Sequence, residues 1–321
     1  MRGHEAAIDL RGVTKTFGEQ TAVERFDLAI PRGALYGFIG PNGAGKTTTI
    51  RMIMSILLPD AGELRVLGRS SALEAKDRIG YLPEERGVYR KMKVGAYLAY
   101  IARLKGMPER GLRERVSAAV ERIGLAGVED KRCEELSKGM SQKIQFVAAI
   151  VHEPDLLILD EPFSGLDPVS TRLLREQILT EHRRGATVLF STHVMSRAEE
   201  ICDHVVMIHR GRKVLDDTVS SILRPQDSRA LRFELLEPQG DVSAVRALPE
   251  VERCAAAEGG YEVTLRDGVD AARAMQSVLA AVRVARIELK RPSLEDVFVA
   301  VVADGERAAP RGADGDGVQP A

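Results

Sequence analysis

The chain has 321 residues, 44% of them hydrophobic, and a formal net charge of -1. That length suits one large domain plus a small one with a sizeable core, and the balanced charge gives no basic footprint for nucleic acid. Cys133, Cys202 and Cys254 are far apart and form no C-x-x-C pair, so they read as reduced, cytosolic thiols rather than metal ligands or disulfides.

Met1-Arg2-Gly3-His4-Glu5 lacks the apolar core of a signal peptide. The longest apolar runs, such as Phe146-Val147-Ala148-Ala149-Ile150-Val151, fall far short of the roughly 20 residues that cross a bilayer. The chain is therefore expected to touch a membrane only through a partner.

The apolar run Leu35-Tyr36-Gly37-Phe38-Ile39 reads as a buried strand. Gly40-Pro41-Asn42-Gly43-Ala44-Gly45-Lys46-Thr47 follows it and completes G-x-x-x-x-G-K-[ST], and Thr48-Thr49-Ile50-Arg51-Met52-Ile53 continues as a helix. Strand, loop and helix together are the setting in which this motif binds a triphosphate. Glycines let backbone N–H groups point inward, and the helix start adds partial positive charge. Lys46 is placed to reach the terminal phosphates, and the Thr47 hydroxyl to ligate magnesium.

Further along, Val94, Tyr97, Leu98, Ile101 and Leu104 recur at helical spacing from Val94 to Met107. Pro108 is expected to start another helix carrying Leu112, Val116, Val120 and Ile123. Both stripes read as core faces. Leu136-Ser137-Lys138-Gly139-Met140-Ser141-Gln142-Lys143 opens a helix reaching Val151. A Ser hydroxyl, a Gly N–H and a helix start there make a second anion-binding end.

Leu156-Leu157-Ile158-Leu159-Asp160-Glu161 is an apolar strand ending in two adjacent carboxylates. Asp160 suits the magnesium shell, and Glu161 suits a general base that orients or deprotonates water. Thr187–Phe190 and His204–Ile208 read as further buried strands. Ser191-Thr192-His193 follows the first of these, where ligands gather in α/β sheets.

From Ser221 to Ser228 the composition reads as a linker. Beyond it Leu231, Phe233 and Leu235 alternate, as do Tyr261, Val263 and Leu265 after Gly259-Gly260. Asp270–Val282 reads as a helix and Val284–Leu289 as a strand. Ser293-Leu294-Glu295-Asp296 has capping-box-like spacing before a last helix to about Val302. The order β-α-β-β-α-β-α suits a small α+β domain of ferredoxin-like type. Residues 304–321, rich in Gly, Ala, Pro and Asp, are expected to be disordered.

Taken together, the phosphate loop, the Ser137–Gln142 segment and the Asp160-Glu161 pair resemble the nucleotide-binding subunits of ABC transporters over roughly residues 7–222. Lys138 and Met140 depart from the commonest signature. The resemblance implies an α/β P-loop ATPase domain (1–225) with a helical subdomain at about 90–150, and a small domain at 229–303. It implies a head-to-tail pair, either a homodimer or a paired ATPase subunit, sandwiching ATP and Mg2+. One subunit's Lys46, Thr47 and Thr48 would then face the other's Ser137 and Gly139. Ser164-Gly165-Leu166-Asp167 matches the D-loop that links the two sites, and His193 matches the switch histidine on the γ-phosphate. Phe17 holds the place of the adenine-stacking aromatic. In Ile79-Gly80-Tyr81-Leu82-Pro83-Glu84 a carboxylate stands where a Gln is usual, and it could still meet magnesium and couple to a partner.

Arg291-Pro292-Ser293-Leu294-Glu295-Asp296-Val297-Phe298 is similar to the small domain after export ATPases of the drug-resistance and sodium-export type. The implied function is ATP hydrolysis driving export through a separate membrane permease, at the cytoplasmic face of the cell membrane. A soluble ABC-type ATPase without a permease, or a regulatory nucleotide-binding subunit, are the alternatives. No Asn-Lys-x-Asp guanine motif is present.

Overall fold

The computed structural model describes residues 6–308 except 86, 224–229, 238–239, 258 and 291–292. The chain divides into two compact units. One holds the residues up to Val219 together with those from Phe298 onward, and the other holds Ser220–Val297. All counts below refer to the described residues.

The first unit opens with β1 (Ala6–Phe17), β2 (Gln20–Pro31) and β3 (Leu35–Ile39), then α1 (Lys46–Ile53), β4 (Ala61–Val66) and β5 (Ile79–Leu82). β1 pairs antiparallel with both β2 and β4 in a three-stranded sheet. Register shifts interrupt the β1–β2 ladder between Leu10 and Val13 and again before Lys15. Those bulges break the simple alternation by which a half-buried strand is recognised.

Next come α2 (Val94–Leu104), α3 (Leu112–Arg122) and α4 (Lys138–Ile150), which pack on one another. α3 does not begin at Pro108 as expected. Leu112 N–H closes a turn on the Glu109 carbonyl, and Gly111 at φ +74 delays the helix to Leu112. Of the expected α2 stripe, Val94, Tyr97 and Leu98 are buried, Ile101 is half-buried and Leu104 is exposed.

β6 (Leu156–Asp160), α5 (Pro168–Arg183), β7 (Thr187–Thr192), α6 (Met195–Ile201), β8 (His204–His209), β9 (Arg212–Thr218) and α7 (Val219–Ile222) complete this unit's run and lead into the second. The central sheet has the order β5-β6-β7-β3-β8-β9, parallel except for β9. Strands buried on both faces need continuous apolar runs, and β3, β6 and β7 are buried at every position. In register, Ile39 lies opposite Thr192, and Asp160 opposite Ser191. The segments that follow β3, β6 and β7 therefore emerge side by side at the carboxyl edge, where α/β sheets bind ligands.

The second unit contains β10 (Ala230–Leu235), α8 (Ser243–Arg246), β11 (Val251–Ala257), β12 (Gly260–Leu265), α9 (Ala271–Ala281) and β13 (Val284–Leu289). Its antiparallel sheet has the order β11-β12-β10-β13 over its own core of Leu231, Phe233, Val263 and Val278. This is the ferredoxin-like arrangement, with two helices on a four-stranded sheet.

α10 (Leu294–Ala308) follows, and its start is a complete capping box. Asp296 N–H donates to Ser293 Oγ at 3.1 Å, and Ser293 N–H donates to the Asp296 carboxylate at 3.0 Å. The helix runs past Val302 to Ala308, so the expected disorder does not begin at 304, and the rest of that tail lies outside the described residues. The expected linker likewise begins as helix, at Ser221-Ile222 of α7, and from 224 to 228 it too lies outside them.

Candidate functional site

A cleft of about 490 Å³ opens at the carboxyl edge of the central sheet. Asn42, Gly43, Ala44, Gly45, Lys46, Thr47 and Thr48 form its floor, with Phe17, Glu84 and Glu161 around it. The loop wraps tightly because two of its glycines cannot be replaced. Gly40 at φ +157 sits where a Cβ would lie 2.2 Å from the Ile208 carbonyl oxygen. Gly45 at φ +109 would place one 2.5 Å from that of Ala22.

Lys46 is only 6% exposed. Its ammonium donates to the carbonyls of Gly40 at 2.6 Å and Pro41 at 3.0 Å. Burial pushes it below the ordinary lysine value, and the charges of Glu161, Asp160 and Glu84 pull it back up. A desolvated cation at the start of α1, on the floor of this cleft, suits a polyphosphate.

The Asp160-Glu161 pair is buried beside it. Asp160 Oδ1 accepts from the Ser191 hydroxyl, whereas Oδ2 is buried without a hydrogen-bond partner among the described residues. Burial raises Asp160 above the usual carboxylate range, while Ser191 and the Thr47 hydroxyl oppose that rise. A buried carboxylate oxygen left over, with a threonine hydroxyl acting on the same group, fits a hard divalent cation such as magnesium.

Glu161 has φ +50. A left-handed non-glycine residue carries about 1–3 kcal/mol of strain and persists only where its surroundings over-determine it. Here three β7-side residues do so. Ser191 Oγ accepts the Glu161 N–H at 3.2 Å, and the Thr192 hydroxyl approaches Oε2 at 3.5 Å. Glu161 Oε1 takes the His193 N–H at 2.9 Å and lies 2.7 Å from its Nδ1. His193 itself is about half exposed.

Phe17 closes β1 at a hairpin tip, paired with Gln20. It is 50% exposed and lines the cleft rather than the core, with Lys15 Nζ 5.6 Å from its ring centre. An exposed ring face at the cleft mouth suits stacking on a planar base. Glu84 is exposed and also lines the cleft, and its neighbour Glu85 pairs with Arg51 at 3.1 Å.

The remaining expected site residues lie outside this lining. Ser137 caps α4 by accepting the Met140 N–H at 3.2 Å, and the exposed Ser137 and half-buried Gly139 present that helix start to the surface. Gln142 turns inward and donates to the Pro162 carbonyl. Ser164 is exposed. The Asp167 carboxylate caps α5 through Ser170 N–H at 2.9 Å and its hydroxyl at 2.7 Å.

Gln20, Thr21, Ala22, Arg210 and Gly211 also line the cleft and were not foreseen. Gly211 N–H donates to the Ala44 carbonyl at 2.8 Å, and its own carbonyl takes Glu24 N–H at 2.9 Å. The β8–β9 turn thus staples the phosphate loop to β2. The Arg210-Gly211 turn signal after the apolar run of β8 is a local hint of this.

Residues 23–164 match the ABC transporter family, and residues 226–302 match the C-terminal domain of DrrA1-3-like ATP-binding proteins. The chain is 38% identical over 287 residues to the uncharacterized ABC transporter ATP-binding protein YhaQ of Bacillus subtilis (strain 168), covering 89% of this chain and 95% of that protein. It is 37% identical over 222 residues to the Nod factor export ATP-binding protein I of Paraburkholderia xenovorans, covering 68% and 73%. Among solved structures, the ATP binding subunit of an ABC transporter superposes with a TM-score of 0.64 at 31% identity, covering 68% of this chain and 92% of that one. The chain belongs to the ABC transporter ATP-binding proteins and is an ATPase subunit of that family.

Proposed function

We propose that this ABC ATPase subunit hydrolyses MgATP within a head-to-tail pair, formed with a second copy or a paired subunit. The pair drives export through a membrane permease carried on a separate chain, at the cytoplasmic face. The observation that carries the reading is the distribution of the site residues. Lys46, Glu161 and the phosphate loop converge on one cleft, while the Ser137-capped start of α4 stands exposed outside it. One subunit thus displays a second anion-binding helix end with nothing of its own cleft to serve.

In this mechanism Phe17 stacks on adenine and the loop amides with Lys46 hold the phosphates. Thr47 and Asp160 hold magnesium, which supplies charge neutralisation at the phosphates when bound. Glu161 uses Oε2 to orient and deprotonate water, while His193 fixes Oε1 and faces the γ-phosphate. Ser137 and Gly139 of the opposite subunit complete the charge stabilisation. A single well-aimed donor is worth about 3 kcal/mol in such a transition state, so an isolated monomer should turn over slowly. Glu84 and the segment leading to α2 carry the motion to the permease.

No helix among the described residues is long and apolar enough to cross a membrane, which agrees with a permease on another chain. Export is the function named for the Paraburkholderia relative. It is extended here to this chain.

Gel filtration of Glu161→Gln with and without ATP tests the pairing. An ATP-dependent shift from monomer to dimer is expected. A monomer at all ATP concentrations, with ATP demonstrably bound, would exclude pairing with a second copy, and the same result after mixing with the paired subunit would sink the pairing altogether.

A further inference from the structure

Ser191, the penultimate residue of β7, is fully buried and lies directly opposite Asp160 in the parallel ladder. Its hydroxyl touches both members of the carboxylate pair. It donates to Asp160 Oδ1, and it accepts the backbone N–H of Glu161 at 3.2 Å. A hydroxyl has one proton and two lone pairs, so it can satisfy an acceptor and a donor at once. An apolar residue in this place could do neither.

The consequences differ for the two carboxylates. With Oδ1 held, Asp160 is left with Oδ2 buried and unpartnered. With its N–H held, the Glu161 peptide stays at φ +50, and from there its side chain meets His193. One hydroxyl on the neighbouring strand thus contacts both the metal-binding and the water-activating residue.

We propose that Ser191 is a positioning residue for both carboxylates. Its hydroxyl orients Asp160 so that Oδ2 is kept for magnesium, and it locks the left-handed peptide that sets Glu161. The proposal rests on the reading of Asp160 as a magnesium ligand. Groups that orient a metal ligand typically govern metal affinity by 10- to 100-fold.

The test uses the full chain as wild type, Ser191→Ala and Ser191→Thr, with Asp160→Asn as reference for the metal reading. Binding of a fluorescent ATP analogue is titrated with Mg2+ and repeated in EDTA, and melting is recorded without nucleotide. Ser191→Ala is expected to raise the Mg2+ midpoint about tenfold or more, with binding in EDTA unchanged within about twofold. Ser191→Thr, which keeps the hydroxyl, is expected to restore the wild-type midpoint. An unchanged midpoint in Ser191→Ala overturns the proposal. So does an equal loss with and without Mg2+, or a failure of Ser191→Thr to rescue at an unaltered melting temperature. If Asp160→Asn leaves the midpoint untouched, the reading of Asp160 itself fails, whatever Ser191 does.

Discussion

His193 holds one oxygen of Glu161 with two groups at once: its backbone N–H at 2.9 Å and its Nδ1 at 2.7 Å. The second spacing requires a proton between ring and carboxylate. Among the described residues Oε2 meets only the Thr192 hydroxyl, at 3.5 Å. The carboxylate is therefore anchored at one oxygen and left with the other for chemistry.

If the pair acts as one unit, His193→Ala and Glu161→Gln should each lower ATP turnover by about 10²–10⁴-fold, the range for general-base catalysis. The double variant should be little worse than the poorer single one. Phosphate release at saturating ATP measures this. Multiplying losses would mean that the two residues work separately.

Phe17 is half exposed, so its removal should act on ATP and not on the fold. Base–aromatic stacking is worth about 1–3 kcal/mol. Phe17→Ala should raise the KM for ATP roughly tenfold or more at constant kcat, and Phe17→Tyr should restore it. A shifted melting temperature with unchanged KM would return Phe17 to a packing role.

Gly45→Ala should abolish nucleotide binding, because its Cβ would press the phosphate loop against the Ala22 carbonyl from a backbone conformation that disfavours side chains. Calorimetric titration with ATP is the measure. Binding retained within threefold would show that the loop tolerates the shift.

His152 gives a pH prediction. Burial, with help from Lys105, pushes it down to about 4, although the Ile79 carbonyl at 3.2 Å favours its charge. A depressed folded value means that the neutral form stabilises the fold above the unfolded value near 6.5. That stability is lost as pH falls from there toward 4, at about 1.4 kcal/mol per unit as an upper limit. Melting temperature should fall over this window, and His152→Gln should flatten the fall. Parallel curves would remove His152 as the cause.

Glu84 stands on the cleft rim within electrostatic reach of Lys46. Glu84→Gln should keep ATP binding and alter permease-coupled turnover. If Glu84→Ala also leaves turnover and transport unaltered, the coupling role is wrong.

Much of this was legible in the chain because it is local. The phosphate loop declares itself within eight consecutive residues, since the glycines, the lysine and the helix start act on one phosphate group together. The Ser293–Asp296 box is local for the same reason, and the β-α-β-β-α-β-α order follows from alternation and turn signals. β1 and β2 are not legible in the chain because register shifts at Leu10–Val13 and Val13–Lys15 disturb that alternation. The start of α3 was misplaced because Gly111 overrides the proline signal.

What the sequence alone determined was which residues carry phosphate and carboxylate chemistry. What only the tertiary structure decided was which oxygen of each carboxylate is held and by whom. Ser191 and His193 reach Asp160 and Glu161 across some thirty residues of chain. Phe17 and Arg210 come from opposite ends of this unit to one cleft. The first contacts depend on the pairing and register of β6 and β7, and the second on the β1–β2 hairpin and the β8–β9 turn; inter-strand hydrogen bonding, unlike a loop's own geometry, leaves no mark in the spacing of residues along the chain.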